Sequence, residues 1–193
     1  MKGKGFRSVC VIVGCALILC SLVLLLGRQF SLHRSAETAA KHTDTIRRLL
    51  PEFTNAAPET RYNNTMPVLS VEKVDYVGLI SFPAHDSELP VRAEWNGRLY
   101  SPCRYDGSIY DGSLIVGANT QKGQYDFFRE IGVTDTVFFT DMTGNRYSLE
   151  VSDILYRTGA SESILYSKKS DLTLFIKNLN ELREYIIVYC KFK

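Results

Sequence analysis

The stretch DLTLFIKN, residues 171–178, decides how the second half of this chain is interpreted. Leu172, Leu174 and Phe175 belong to a short apolar run with a β-branched threonine, which is typical of a buried β-strand. Lys177 follows at the point where that strand should end. The stretch therefore predicts a strand that brings a lysine side chain to the end of a sheet.

Similar runs extend on both sides of this strand, from Val71 to the last residues of the sequence. They are rich in Val, Ile, Tyr, Phe and Thr, and Gly, Pro, Asn and Asp separate them. The runs are VDYVGLISFP, ELPVRAEW, GSLIVGAN, DTVFFTD, NRYSLEVSDILYRT, DLTLFIK and EYIIVYCKF. Residues 134–151 predict a β-hairpin, and residues 125–132 predict a short helix. We therefore expect a mainly β domain of seven or eight strands with one or two short helices, closed as a barrel or packed as a sandwich.

The N-terminal region is different in character. Residues 9–26 carry no charge, and about 18 helical residues nearly match a hydrocarbon core of roughly 30 Å. Basic residues precede this run, which favours a cytoplasmic N-terminus. We predict a cytoplasmic basic tail at 1–8, a transmembrane signal anchor at 9–27, a helical stalk and linker at 28–70, and the β domain at 71–193.

Two other interpretations of the apolar run are less favoured. A cleaved signal peptide usually ends in a small-x-small sequence, and Leu26-Gly27-Arg28 does not provide one. A lipoprotein could use Cys15, but the apolar run continues well past that residue. A single-pass anchor therefore fits the sequence best.

Composition excludes several classes of function. A formal net charge of +2 gives no reason to expect a nucleic-acid partner. The sequence contains neither a Cys/His spacing for zinc nor a glycine-rich phosphate loop. We therefore predict no metal and no cofactor.

The order of the motifs resembles the sortases, the membrane-anchored cysteine transpeptidases of Gram-positive bacteria, and is most similar to their clostridial, class B-like branch. The resemblance extends from about Tyr76 to Cys190 and includes the N-terminal anchor. Its pieces are YVGLI, LPV, PCRYDGS, LIVGAN, FF, TDTVFFTDMTGNRYSLEV, DLTLF and the final strand. It implies a β-barrel of seven or eight strands preceded by a transmembrane helix and a helical stalk.

The resemblance also implies a catalytic set. In sortases a cysteine attacks a peptide carbonyl, a histidine serves the leaving amine, and an arginine stabilises the substrate and the oxyanion. Carried over to this sequence, the histidine position falls on Asn119 and the cysteine position on Lys177. The arginine position falls on Arg183 or Tyr185. The resemblance thus implies that the catalytic histidine and cysteine are absent. The arginine is present only if its position falls on Arg183.

The replacements bear directly on activity. An asparagine does not donate a proton as an acid near neutral pH, and a lysine with an ordinary pKa of about 10.4 is mostly protonated. If the lysine did attack a peptide carbonyl, the product would be a stable amide and turnover would stop. We therefore expect ordinary transpeptidation to be lost.

Other residues could provide a nucleophile or a base. Cys103 and Cys190 could form a disulfide outside the membrane, or they could remain buried thiols. His85, in a loop, could pair with either cysteine as a catalytic dyad, although a surface histidine is the commoner case. The sequence leaves these alternatives open.

The favoured hypothesis is a membrane-anchored, extracytoplasmic sortase homologue that is catalytically inactive. Its expected partners are a sorting-signal-like peptide, a surface protein or pilin, or an active sortase, together with the lipid bilayer through residues 9–27. One alternative is an active sortase-type transpeptidase that anchors surface proteins to the cell wall with an atypical catalytic set. Another is a structural scaffold of the cell envelope.

Overall fold

The structure is a computed structural model of the chain. It describes residues 3–56, 65–95, 101–120, 125–159, 162–166, 170–178 and 184–193, with the backbone alone for residues 3–11 and 28–36. The chain divides into two compact units, Met1–Ser35 and Ala36–Lys193. The domain bounds predicted from the sequence stay predictions.

One long helix, α1 (Gly3–Leu49), begins the described chain. It ends just before Pro51, which agrees with the rule that the residue preceding a proline disfavours helical backbone. In the part of the chain with described side chains, no helix has both the length and the apolar character needed to cross a bilayer. The anchor predicted at residues 9–27 lies partly outside the residues with described side chains and stays a prediction.

Ten strands follow α1 in the described residues. They are β1 (Thr54–Asn55), β2 (Leu69–Val71), β3 (Val74–Phe82), β4 (Ser87–Arg92), β5 (Cys103–Asp106), β6 (Leu114–Asn119), β7 (Thr136–Asp141), β8 (Asn145–Thr158), β9 (Leu172–Lys177) and β10 (Glu184–Phe192). Short 3-10 helices lie at Pro83–His85, Ile109–Asp111 and Asp126–Glu130, and a one-turn α2 lies at Glu162–Leu165.

The strands close into an eight-stranded barrel. Neighbours follow the order β8-β10-β9-β6-β5-β4-β3, and β7 completes the ring because it pairs with both β3 and β8. The predicted hairpin is present, because residues 136–140 of β7 pair in antiparallel register with residues 146–150 of β8. The mainly β barrel is thereby confirmed, and the helix predicted at 125–132 is present as a 3-10 helix.

Alternate residues of each central strand fill the barrel. Leu172, Leu174 and Ile176 of β9 belong to the main core, as do Val188 and Cys190 of β10. The residues between them on each strand point to the outer surface, because side chains alternate along a strand. Lys177 therefore points to the outer surface, because it follows the core residue Ile176 on β9.

The part of α1 within the second unit, up to Leu49, packs against the barrel. Ile46 and Leu50 join Tyr76 and Leu79 in a second buried cluster. The buried ring of His42 lies 2.6 Å from the Tyr76 hydroxyl through Nδ1. Burial also raises the pKa of Tyr76 to about 12, so its hydroxyl stays protonated near neutral pH. Apolar packing and this polar contact together hold the helix against β3.

Candidate functional site

Three of the residues singled out by sequence lie in one row across three neighbouring strands. Asn119 of β6 is paired with Lys177 of β9 in the parallel register. Lys177 is in turn paired with Tyr185 of β10 in the antiparallel register. Tyr185 therefore occupies the third place in this row, while Arg183 lies outside the described residues.

The row lies on the outer surface of the barrel. Lys177 is two residues from Phe175, which belongs to an apolar cluster outside the main core together with Ile115 and Ile187. Paired residues on neighbouring strands point to the same face, so Asn119 and Lys177 share that surface. Lys177 is exposed and Asn119 is buried.

Three aromatic rings pack on this face beside the row. Trp95, Tyr105 and Phe175 form a mutual group, and each pair of ring centroids is 5.3 Å apart. Gly117 of β6 makes the packing possible, because a Cβ atom there would collide with the rings of Trp95 and Phe175. The outer face therefore combines an apolar floor with the polar row at its end.

The segment around α2 forms a second side of this surface. The Tyr166 hydroxyl donates to Oδ2 of Asp106 on β5 at 2.7 Å, and this hydrogen bond holds the pKa of Asp106 below its usual value. The Tyr189 hydroxyl donates to the backbone carbonyl of Ile164 at 2.7 Å. Leu165 is buried in the outer apolar cluster. Two hydrogen bonds and one apolar contact thus fasten α2 over the sheet.

Residues just beyond the row are also fixed in place. The buried Asn178 donates through its backbone to the carbonyl of Glu184 at 3.0 Å, and its side-chain amide donates to the Glu184 carboxylate. The same carboxylate lies 3.8 Å from the guanidinium of Arg129. The backbone N–H of Thr120 donates to the carbonyl of Lys177 at 3.1 Å. The strand ends that carry the row are therefore held together by polar contacts.

Arg157 is a residue that the sequence reasoning missed. It is paired with Tyr185 in the antiparallel register of β8 and β10, so it extends the row to a fourth strand. Its side chain is exposed. The strand run NRYSLEVSDILYRT already contained this arginine, but only the long-range pairing of β8 with β10 brings it beside Tyr185. The row thus carries two cations, Lys177 and Arg157, on either side of a phenol.

This set of groups can bind but is poorly equipped for acyl transfer. An amide, an ammonium, a phenol and a guanidinium supply hydrogen-bond donors that suit carbonyl or carboxylate oxygens. Within the row Asn119, Lys177, Tyr185 and Arg157, neither a thiol nor an imidazole is present. The arrangement favours recognition of an oxygen-rich chain over nucleophilic attack on it.

The cysteines do not complete the row. Cys103 and Cys190 are both buried, and neither forms a disulfide in the described residues, so the pairing considered from the sequence is not formed. The physical reason is strand order: β5 and β10 are separated by β9 and β6, and each strand spacing is about 4.8 Å. A disulfide needs Cα atoms roughly 5.5 Å apart.

Burial also makes both thiols poor nucleophiles. Desolvation raises the pKa of the Cys103 thiol, and it raises the pKa of the Cys190 thiol as well. The Cys103 Sγ donates to the carbonyl of Ser101 at 3.2 Å. The thiolate is the reactive form, and the raised pKa values disfavour it. Burial also keeps reagents away from both sulfur atoms.

His85 is engaged elsewhere. Its ring stacks on Phe127 with centroids 4.5 Å apart. Its nitrogens lie 3.9 Å from Glu130 and 4.0 Å from Asp135. The contacts of His85 and of Cys103 are with different residues, so the structure gives no support to a dyad of the two. Among the described residues, no cluster of His, Cys, Asp and Glu is suited to hold a metal ion.

Thiol labelling should distinguish the two buried cysteines from a thiol placed at the exposed position 177 of the row. In the folded protein we expect Cys103 and Cys190 to react with iodoacetamide at least about 100-fold more slowly than the same two residues in the denatured protein. A Lys177→Cys variant should gain one labelled position that reacts at the rate of an exposed thiol. Peptide mass mapping measures each position, and rapid labelling of Cys190 without denaturant would contradict the buried assignment.

Comparison with solved structures gives the class of fold. The chain is similar to sortase A from Corynebacterium diphtheriae, with 14% identity, a TM-score of 0.53 and coverage of 84% of each chain. It is also similar to sortase C1 from Streptococcus agalactiae, with 17% identity, a TM-score of 0.52 and coverage of 64% of this chain and 70% of that one. Sortase A of Listeria monocytogenes matches at 15% identity and a TM-score of 0.51, covering 61% of this chain and 87% of that one.

No protein-family model and no curated protein matches the chain. The barrel, its strand order and these structural matches together define the sortase fold. The fold expected from the sequence motifs is therefore confirmed.

Proposed function

We propose that this protein is a sortase homologue that does not catalyse transpeptidation and that binds an extended peptide on its outer face. The peptide would be a sorting-signal-like segment of a surface protein or pilin. The observation that carries the proposal is the row of Asn119, Lys177, Tyr185 and Arg157 across four neighbouring strands. A polar row beside an apolar floor is the chemistry that an extended peptide needs.

The polar row and the apolar floor would each contact a different part of the peptide. Backbone carbonyls and carboxylates of the peptide would accept hydrogen bonds from Lys177 and Arg157. Apolar side chains of the peptide would pack beside Trp95 and Tyr105, both of which are only partly buried. This division agrees with the usual composition of a binding site, mainly apolar with a few convergent polar groups.

The proposed location is outside the cytoplasmic membrane, with residues 9–27 as the anchor. This part of the proposal rests on the uncharged run at 9–26 and on the basic residues before it. An active sortase acting on the same surface proteins is the second kind of partner that this location would permit.

Trp95 offers a direct test, since it is the single tryptophan of the chain and lies on the proposed surface. Synthetic peptides that span the C-terminal regions of surface proteins from the same genome would be titrated while Trp95 emission is recorded. We expect one peptide group to shift the emission. The variants Lys177→Met and Arg157→Met should each weaken that binding about 10-fold, because a charged hydrogen bond is lost.

Lys191→Met is the matched control, since Lys191 is an exposed β10 lysine outside the row. It should leave the affinity unchanged. Intact-mass measurement of the same mixtures distinguishes the alternatives. A covalent adduct on a cysteine would establish the atypical transpeptidase instead, and a complete lack of binding would favour the envelope scaffold.

A further inference from the structure

A separate cavity lies between α1 and the barrel, within the unit Ala36–Lys193. Its volume is about 590 Å³, which is within the usual range for small-molecule sites. One wall is a single face of α1, because Ala40, Thr43, Asp44 and Arg47 recur at helical spacing. The other wall comes from β3, β7, β8 and the turn before β4.

Arg146 of β8 is held in a fixed position in this cavity. Its guanidinium carbon lies 4.2 Å from the ring centroid of Phe53 and 5.2 Å from that of Phe138. Its Nε donates to the Thr140 hydroxyl at 3.3 Å. Among the described residues, no carboxylate forms an ion pair with Arg146, so most of its N–H groups are available to an incoming anion.

The other charges that line the cavity are arranged differently. Arg47 and Glu88 neutralise each other at 2.5 Å, and Glu88 also accepts a hydrogen bond from the Ser81 hydroxyl at 2.7 Å. Asp44 and Asp86 line the same space, and within the described chain neither is paired with a cation. Neither lies within ion-pair distance of Arg146, so cavity space separates the opposite charges.

We propose that this cavity binds a small zwitterion, a free amino acid or a short peptide, with its carboxylate on Arg146 and its ammonium group on Asp44 or Asp86. A planar carboxylate matches the fork of a guanidinium that two aromatic rings already orient. A simple anion would be repelled by the two free carboxylates, and a simple cation would be repelled by Arg146. A ligand with both charges pairs with Arg146 and with one of the two carboxylates.

Calorimetric titration of the full-length protein with alanyl-alanine tests the site. We expect saturable binding at about 1 mM ligand or below. N-acetyl-alanyl-alanine lacks the ammonium group and alanyl-alanine amide lacks the carboxylate, and each should bind about 10- to 100-fold more weakly. Free alanine in a parallel titration distinguishes an amino-acid site from a dipeptide site.

Three variants and one control assign the charges. Arg146→Gln should weaken alanyl-alanine binding about 10- to 100-fold, and at least one of Asp44→Asn and Asp86→Asn should weaken it by a smaller factor. Arg48→Gln removes an exposed α1 arginine outside the cavity and should have no effect. Because Arg146 also packs on two rings, the capped ligands and Asp44→Asn provide tests that do not disturb that packing. Equal binding of the capped and free dipeptides, or no binding at about 10 mM, would overturn the proposal.

Discussion

Replacing Asp141 with alanine should lower the free energy of unfolding by about 3–5 kcal/mol. Asp141 is fully buried at the end of β7. Its Oδ1 accepts hydrogen bonds from the backbone and hydroxyl of Thr143 at 2.8 and 2.7 Å and from the backbone of Asn145 at 3.0 Å. Its Oδ2 accepts from the Tyr110 hydroxyl at 2.8 Å and from the Asn145 amide at 3.1 Å.

The large expected effect arises because five donors lose their acceptor at once. Alanine would leave the Tyr110 hydroxyl without its Asp141 partner, and two backbone N–H groups of the turn without an acceptor. Asp141→Asn should cost less, since one acceptor oxygen remains, and Tyr110→Phe should cost only about 1 kcal/mol. Denaturant unfolding followed by Trp95 emission measures all three. A loss below about 1 kcal/mol for Asp141→Ala would show that the carboxylate is not the centre of this turn.

Most of the fold could be predicted from the sequence, because core and surface positions alternate regularly along the strands. In β9 the core positions Leu172, Leu174 and Ile176 are apolar, and in β10 Val188 and Cys190 continue the same pattern. The β7–β8 hairpin was predictable because its turn residues stand between two β-branched and aromatic runs. The resemblance then implied that seven or eight such strands close into a barrel.

The row, the cysteine pairing and the cavity depend on contacts between distant parts of the chain. Asn119 and Lys177 could be associated only through the resemblance, and nothing local to Arg157 predicts that it lies beside Tyr185. The sequence could not decide between a disulfide and two buried thiols, because the number of cysteines says nothing about which strands separate Cys103 from Cys190. The cavity could not be foreseen, because it exists only where α1 packs against the barrel.

Converting the row to Asn119→His, Lys177→Cys and Tyr185→Arg should create an enzyme-like thiol, whereas we expect the native protein to form no covalent product. Asn119 and Lys177 are paired on neighbouring parallel strands, which lie about 4.8 Å apart, so the new imidazole and thiol would be close enough to interact. General acid–base assistance contributes about 10²- to 10⁴-fold. The triple variant should therefore form a thioester with a sorting peptide at least about 100-fold faster than Lys177→Cys alone.

Intact mass before and after hydroxylamine treatment measures the thioester, because hydroxylamine cleaves a thioester and leaves an amide. Lys177→Ser with the same two partner substitutions is the matched control, since an alcohol at this position cannot form the thioester. If the folded triple variant binds peptide but never acylates, the row does not have the geometry of a nucleophile site. If the native protein acylates under the same conditions, the non-catalytic proposal is wrong, because the native chain would then contain a reactive nucleophile. Since Cys103 and Cys190 are buried in the native fold, we expect the native protein to remain unmodified on both residues.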